Sequence, residues 1–453
     1  MKIATVVLHI RPLHNTYDGF IDRNGESVTC FPIKDLNEIG FSQKDIDEVT
    51  IDWKSDSKTH RDGCFEYKIT VNAGAVSTKE HESHSNRIMN EIMRCRRAYL
   101  GTKSQIKFVG LHAHSGVGSP FDGFGYPQEH MDYAYENGCQ ALALTDHGNM
   151  NGTAYQVLHA KKMREQGKDF KPIFGVEAYF IEDVVEWRKK YEEHKADKVK
   201  ARRLSKEQSG TTIEAEGETK SKGSELNRSR HLVLLAMNQE GLNNIYKMIS
   251  ESYTDTYYYR KPRIDYALLE KYNSSVICLS ACLGGVYAGC YWSKREEGEE
   301  AVLECMREVT RRMVSILGDR WYGELQWNNV PEQHELNKYV IQMHKEFGIP
   351  LVSTADSHYP NPDAWKDREL YKRLGWLGRG KPEWLDMNLP TSVDEIDYEL
   401  YPKNGDQMWA AYQKYSTETG VKYDDNLVLR SIEETHRIAF ERIEGFYPDN
   451  AVR

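Results

Sequence analysis

Phe108-Val109-Gly110-Leu111-His112-Ala113-His114-Ser115 decides how this 453-residue chain is read, because a short apolar run ends in two histidines spaced i, i+2. In an extended segment side chains alternate, so both imidazoles share one face. The same design recurs downstream. Ala141–Leu144 runs into Asp146 and His147, Pro172–Val176 into Glu177, Val276–Leu279 towards Cys282, and Pro350–Val352 into Asp356 and His358. Trp321–Leu325 is another such run, and His231 opens one that ends at Met237. Seven strand-like segments with metal-binding side chains gathered at one end predict a barrel with a metal centre at one mouth.

Helical spacing in Pro127–Gly138 and Gly152–Gly167 separates the first three of these segments, which predicts βαβ connections and parallel strands. With Asp122 in the loop after His114, nine residues are candidate ligands: His112, His114, Asp122, His147, Glu177, His231, Cys282, Asp356 and His358. Nine is too many for one zinc and enough for two or three divalent ions bridged by carboxylates. Asp146, beside His147, is better read as a carboxylate that orients an imidazole than as a ligand.

Outward from the barrel, residues 1–105 alternate β-branched residues in Ala4–Ile10, Val28–Phe31, Glu48–Trp53 and Phe65–Val71, with turn signals between them. This predicts a small mainly β domain, closed by a linking helix over Arg87–Tyr99. The barrel is expected over residues 106–360. Within it, residues 183–230 form a charged insertion, read as a helix followed by a flexible loop, whose basic residues either stay solvated or hold a phosphodiester strand. Residues 361–453 read as a helical tail, with helices starting at Ser392–Glu395 and Gly405–Trp409 and a long amphipathic one over Leu427–Ile443.

The composition sets limits. Hydrophobic residues make up 39% and charged residues 28%, the balance of a globular protein. A net charge of -9 argues against binding nucleic acid by bulk charge, so any such contact must be local. The mixed aromatic and basic cluster Tyr258, Tyr259, Arg260, Lys261 and Arg263 offers stacking and backbone contacts, and equally offers ordinary packing. No apolar run approaches the roughly 20 residues that span a bilayer, which predicts no membrane contact and a cytoplasmic location. Eight cysteines without paired spacing predict reduced thiols.

Leu-His-Ala-His-Ser, Leu-Thr-Asp-His-Gly, Gly-Val-Glu, Arg-His-Leu, Leu-Ser-Ala-Cys-Leu and Ala-Asp-Ser-His-Tyr, in this order, resemble the motifs of the PHP (polymerase and histidinol phosphatase) superfamily. The resemblance runs from about Phe108 to beyond Arg437. It is strongest to the branch found at the start of the bacterial replicative DNA polymerase III alpha subunit. It implies a distorted seven-stranded β/α barrel holding up to three ions of zinc, manganese or iron. His112, His114, Glu177 and Asp356 would surround one ion, Glu177 would bridge to a second held by His231 and Cys282, and Asp122, His147 and His358 would take the third.

Glu177, Asp356 and His358 are then the candidate catalytic residues of a metal-dependent phosphodiester hydrolase, expected to be a 3′–5′ exonuclease acting on single-stranded DNA or a primer 3′ end. Polymerisation is not expected from this chain, and a separately encoded palm-and-fingers subunit is an expected partner. Two other readings stand beside it: a catalytically silent structural subunit of a split polymerase, and a free-standing phosphomonoesterase.

Overall fold

The computed structural model describes the strands within residues 2–73, residue 104, and residues 106–207, 226, 228–378, 390–392 and 395–448. The chain divides into two compact units, Met1–Ser104 with Glu136–Gly138, and the remainder. In the first, β1 (Lys2–Ile10), β2 (Tyr17–Asp22), β3 (Val28–Pro32), β4 (Thr50–Lys54) and β5 (Phe65–Ala73) form one sheet in the order β3-β2-β1-β5-β4. All its pairings are antiparallel. The sequence reading missed β2, whose Gly19 and acidic or turn-forming neighbours weaken the strand signal. The helix expected over Arg87–Tyr99 lies outside the described residues.

The second unit is α/β. Its strands are β6 (Ala141–Leu144), β7 (Lys171–Phe180), β8 (Arg230–Ala236), β9 (Arg263–Ile264), β10 (Val276–Leu279), β11 (Trp321–Gln326) and β12 (Leu351–Thr354). They form a seven-stranded sheet in the order β12-β11-β10-β8-β7-β6, with β9 on β7. The parallel arrangement expected from the βαβ connections of the first segments does not extend to β8, which runs antiparallel to both β7 and β10. That reversal explains a feature of the sequence: His231 stands at the start of its strand, and only an antiparallel strand brings its start to the mouth where the other strands end. The segment around Gly110–His114 forms bridges in place of a regular strand. Gly110 pairs with Leu142 and Ala113 with Ser357, so this segment joins the two edges of the curled sheet.

Alternation along the strands supplies two apolar faces. Val109, Leu111, Ile173, Val233, Leu235, Ile277, Leu279, Tyr322 and Val352 make an inner cluster, while Phe174, Val176, Leu232, Leu234, Val276 and Cys278 join an outer one that also takes in the helices. The connecting helices are α1 (Pro127–Glu136), α2 (Thr153–Glu165), α3 (Val184–Glu207), α4 (Gln239–Ser252), α5 (Tyr266–Tyr272), α6 (Val286–Lys294), α7 (Glu299–Leu317) and α8 (Pro331–Phe347). α3 is the helix expected in the charged insertion. Most of the loop after it lies outside the described residues.

After β12 come α9 (Trp365–Gly378), α10 (Gly405–Thr419) and α11 (Asp425–Arg437). Asn404 caps α10 with a full capping box, and Asp424 caps α11 through the amides of Asn426 and Leu427. This tail is part of the barrel's own unit: Ile438, Ala439 and Ile443, just past α11, sit in the inner cluster. The helix start expected at Ser392–Glu395 falls partly outside the described residues.

The expectation of reduced thiols is corrected at one pair. Cys290 on α6 and Cys305 on α7 form a disulfide, with Cα atoms 5.6 Å apart. They stand fifteen positions apart in the chain, a spacing set by two helices folding back on each other, which no short cysteine motif signals. Among the described residues no helix is long and apolar enough to cross a membrane.

Candidate metal centre

Strand ends bring the predicted ligands together at one mouth. Glu177, on β7, is the hub, 1% exposed and in contact with four imidazoles. Its Oε1 lies 3.3 Å from His112 Nε2 and 3.1 Å from His231 Nδ1. Its Oε2 lies 3.5 Å from His114 Nε2 and 2.7 Å from His147 Nδ1. Asp356, following β12, presents Oδ1 to His112 Nε2 at 3.3 Å and to His114 Nε2 at 3.2 Å. Its backbone is left-handed, φ 48°, a conformation that aspartate tolerates better than most residues.

The outer side of the cluster is formed by Asp122, His147 and His358. Asp122 Oδ2 stands 3.0 Å from His147 Nε2 and 3.8 Å from His358 Nε2. His358 Nδ1 faces the backbone carbonyl of Asp356 at 2.6 Å, which fixes Nδ1 as the donor and turns Nε2 towards Asp122. Cys282 comes near His231, with Sγ 4.0 Å from Nδ1, and accepts a hydrogen bond from the Gly284 amide at 3.4 Å. Ligand atoms fall into three overlapping groups, each within 4.8 Å: His112, His114 and Glu177; His147, Glu177 and His231; His114, His147 and His358. Cys282 lies beside the second group and outside it.

His112 Nε2, His114 Nε2, His147 Nδ1, both Glu177 oxygens and Asp356 Oδ1 are buried and have no hydrogen-bond partner. Buried polar atoms without a hydrogen bond cost about 1–3 kcal/mol each, and six of them converging on one space call for an explanation such as a bound ion. A set of imidazole nitrogens and carboxylate oxygens facing one space is the donor chemistry of divalent zinc, manganese or iron. The residues therefore fit a divalent metal centre.

Electrostatics agree. Burial opposes charge on His112, but Asp356, Glu324 and Glu177 hold it well above the ordinary histidine range. His147 is likewise raised, to about 10, against burial by Glu177 and Asp122. His114 goes the other way, to about 3, through burial and its neighbours His147 and His358. Despite burial, Glu177 is held well below the usual carboxylate range, by His231, His147 and His112. Without metal, then, His112 and His147 carry protons at neutral pH, and a cation must displace them. Burial also pushes the Cys282 thiol up, so metal uptake at pH 7 should release at least two protons, one more where Cys282 binds, and affinity should rise with pH. Calorimetric titration in buffers of different ionisation enthalpy checks this; uptake without proton release would contradict it.

Among the described residues Glu324 orients an imidazole directly, whereas Asp146 reaches the imidazoles only through Ser119. His112 Nδ1 donates to Glu324 Oε1 at 2.8 Å, which leaves Nε2 for the cluster. The same oxygen accepts from Gln326 Nε2 at 3.0 Å and Thr354 Oγ1 at 2.5 Å. A fully buried glutamate inside the apolar strand Trp-Tyr-Gly-Glu-Leu was the available signal. Asp146 instead anchors the loop after His114, accepting from the Ser115 amide (2.7 Å), Ser115 Oγ (2.9 Å) and Ser119 Oγ (2.9 Å). Ser119 Oγ in turn lies 3.4 Å from His114 Nδ1 and accepts from the His147 amide at 3.1 Å, so Asp146 acts on the imidazoles at one remove.

A Cβ on Gly118 would fall 2.3 Å from Asp146 Oδ2. Gly118→Ala should destabilise the protein by about 1–3 kcal/mol, as overpacking does, and weaken metal retention with it. Thermal melts paired with metal analysis measure both.

The five residues read as a nucleic-acid contact separate. Arg263 is buried, its guanidinium 3.8 Å from the Trp187 ring and its Nε donating to the Tyr257 carbonyl, and Tyr259 packs against Trp187 and Tyr191. These two fasten α3 to the barrel, a correction to their reading as strand contacts that follows from Trp187 and Tyr191 lying one helical turn apart. Tyr258, Arg260 and Lys261 are exposed. Lys261 lies 4.0 Å over the ring of Tyr179, which stands 5.9 Å from His147 and 5.4 Å from His231, at the edge of the cluster.

The sequence of the barrel resembles that of known proteins. A family model described as "PHP domain" matches residues 110–328. The DNA polymerase III alpha subunit of Aquifex aeolicus is 34% identical over 256 residues, 56% of this chain and 18% of that protein. That of Borreliella burgdorferi is 30% identical over 302 residues, 67% of this chain and 22% of that protein. The chain thus spans about a fifth of the length of these curated relatives. Among solved structures, an amidohydrolase from Chromobacterium violaceum aligns over 58% of this chain and 96% of its own at 14% identity, with a TM-score of 0.30. Residues 110–328 of this chain are a PHP domain, similar in sequence to part of the DNA polymerase III alpha subunits.

Proposed function

We propose that this protein is a metal-dependent phosphodiester hydrolase that removes nucleotides from the 3′ end of single-stranded DNA. The observation that carries the reading is the convergence at the barrel mouth of six buried ligand atoms that lack hydrogen-bond partners. His112, His114, Glu177 and Asp356 would hold one ion, Glu177, His231 and Cys282 a second, and Asp122, His147 and His358 a third. Zinc, manganese or iron, when bound, would lower the pKa of a bound water from about 15.7 towards 7 and polarise the phosphoryl group.

The protein's own groups do the rest. Glu177 offers both oxygens inward, one to each half of the cluster. Asp356 Oδ1 faces His112 and His114, while His358 keeps Nε2 towards the more open side, where Asp122 is 46% exposed. That side is the entry for a phosphodiester. Lys261, beside Tyr179, supplies a cation at its edge, and exposed Tyr258 and Arg260 stand next to it in the chain as a stacking and backbone contact. The DNA polymerase III alpha relatives support a polynucleotide as the substrate.

Incubation of metal-loaded protein with 3′- and 5′-labelled single-stranded DNA, in manganese and in zinc, tests the proposal. Digestion from the 3′ end, absent from the Asp356→Ala, His358→Ala double variant, is expected. A metal-loaded protein that cuts no DNA and turns over only small phosphate esters would overturn it.

A further inference from the structure

We propose that Arg368 is a positioning residue for the cluster, clamping Asp122 so that this ligand offers a single fixed oxygen to the outermost ion. The proposal rests on the metal reading above. Asp122 is the weak point of the ligand set: its side chain is 46% exposed and it sits on a loop, whereas Glu177, His112 and His114 are fully enclosed. A carboxylate so placed should swing into water unless something holds it.

Arg368, on the first turn of α9, does so from a nearly buried position, 8% exposed. Its Nη2 donates to Asp122 Oδ1 at 2.9 Å and its Nε donates to the Asp122 backbone carbonyl at 2.9 Å. A guanidinium fork thus fixes both the side chain and the peptide carrying it, a geometry that a lysine ammonium does not reproduce. With Oδ1 occupied, only Oδ2 is left to face His147 and His358. The ion would then meet one oxygen instead of a chelating pair, which keeps a coordination position open for water or substrate.

The same helix holds the loop at a second point that does not involve Asp122. Phe121, in a left-handed backbone conformation at φ 65°, stacks on Tyr371 with ring centres 5.1 Å apart. This separates two roles. If α9 merely tethers the loop, loosening either contact should have the same effect. If Arg368 orients the carboxylate, only its own replacement should matter.

Cobalt(II) titration of the metal-free full-length protein, read by the visible bands and by competition with a chelator, tests the assignment. Arg368→Met should weaken the last-filling ion by about 10–100-fold, the range for partners of metal ligands, with the earlier ions unchanged. Arg368→Lys should fall between it and the parent. Asp122→Asn, which removes the ligand carboxylate itself, should give an equal or larger loss, and the double variant no loss beyond it, because without that carboxylate Arg368 has nothing to orient. Tyr371→Leu should leave cobalt binding unchanged. Additive losses, an unaffected Arg368→Met, or an equal loss in Tyr371→Leu would overturn the proposal. A parent protein that takes up no cobalt would overturn the metal reading itself, and this proposal with it.

Discussion

Glu177→Gln should leave a folded protein that keeps at most one of the parent's ions and has lost hydrolysis by on the order of 10³-fold, since several kcal/mol of metal-borne charge stabilisation disappear from the transition state. No other side chain touches so much of the cluster: four histidines meet its two oxygens. Glutamine keeps the shape but replaces one acceptor with an amide nitrogen that points donor hydrogens at imidazole nitrogens and at any cation. The loss should show in stability as well. Divalent metal in roughly 1,000-fold excess over its dissociation constant stabilises a binding protein by about 4 kcal/mol, so the parent's melting temperature should climb on metal addition while that of the variant stays nearly flat. A variant that keeps its metal and its thermal response would show that Glu177 does not bridge ions.

Replacement of Glu324 should have the second largest effect, although this residue touches no ion. Glu324→Gln should reduce metal affinity by about 10–100-fold, because the amide is a poorer partner for His112 Nδ1–H and no longer enforces the tautomer that turns Nε2 inward. Glu324→Ala should also cost folding stability. It strands the donors of His112, Gln326 and Thr354 in a fully enclosed site, at about 1–3 kcal/mol for each group left unpaired. Metal content, chelator competition and urea unfolding of the two variants separate the effects: Gln should lower affinity with a small change in stability, and Ala should lower both. Equal behaviour of Glu324→Gln and the parent would remove Glu324 from the account.

How much of this was legible in the sequence depends on the range of the interaction. Ala141–Leu144 and Val276–Leu279 have the same bounds in the sequence reading and in the structure, because each is a short, wholly buried apolar run between turn signals. The convergence of His112, His114, His147, Glu177 and Asp356 was also legible, since each follows from a strand ending at the same mouth. The direction of β8 was not, because strand polarity is set by pairing across the sheet, which alternation along one strand does not encode. Glu324 and Arg368 escaped for a related reason. Each acts on a ligand more than 200 residues away in sequence, and neither carries a local spacing pattern.

Asp146 stands beside His147 in the chain, and that adjacency suggested a contact with the His147 ring. The side chain turns instead to Ser115 and Ser119, because the loop after His114 folds back over it. For Arg263 and Tyr259 the sequence left base stacking and packing equally open, because an aromatic and basic cluster has the same composition whether it stacks on bases or on Trp187 of its own chain.

The most direct test of the central claim is the divalent metal content of the full-length protein, measured by plasma mass spectrometry after loading with zinc or manganese and exhaustive dialysis, beside the His112→Ala, His114→Ala double variant. Two or three ions per chain, with at least one fewer in the variant, is the predicted result. A parent protein that emerges from dialysis with no more metal than the variant would contradict the reading of the barrel mouth as a metal centre.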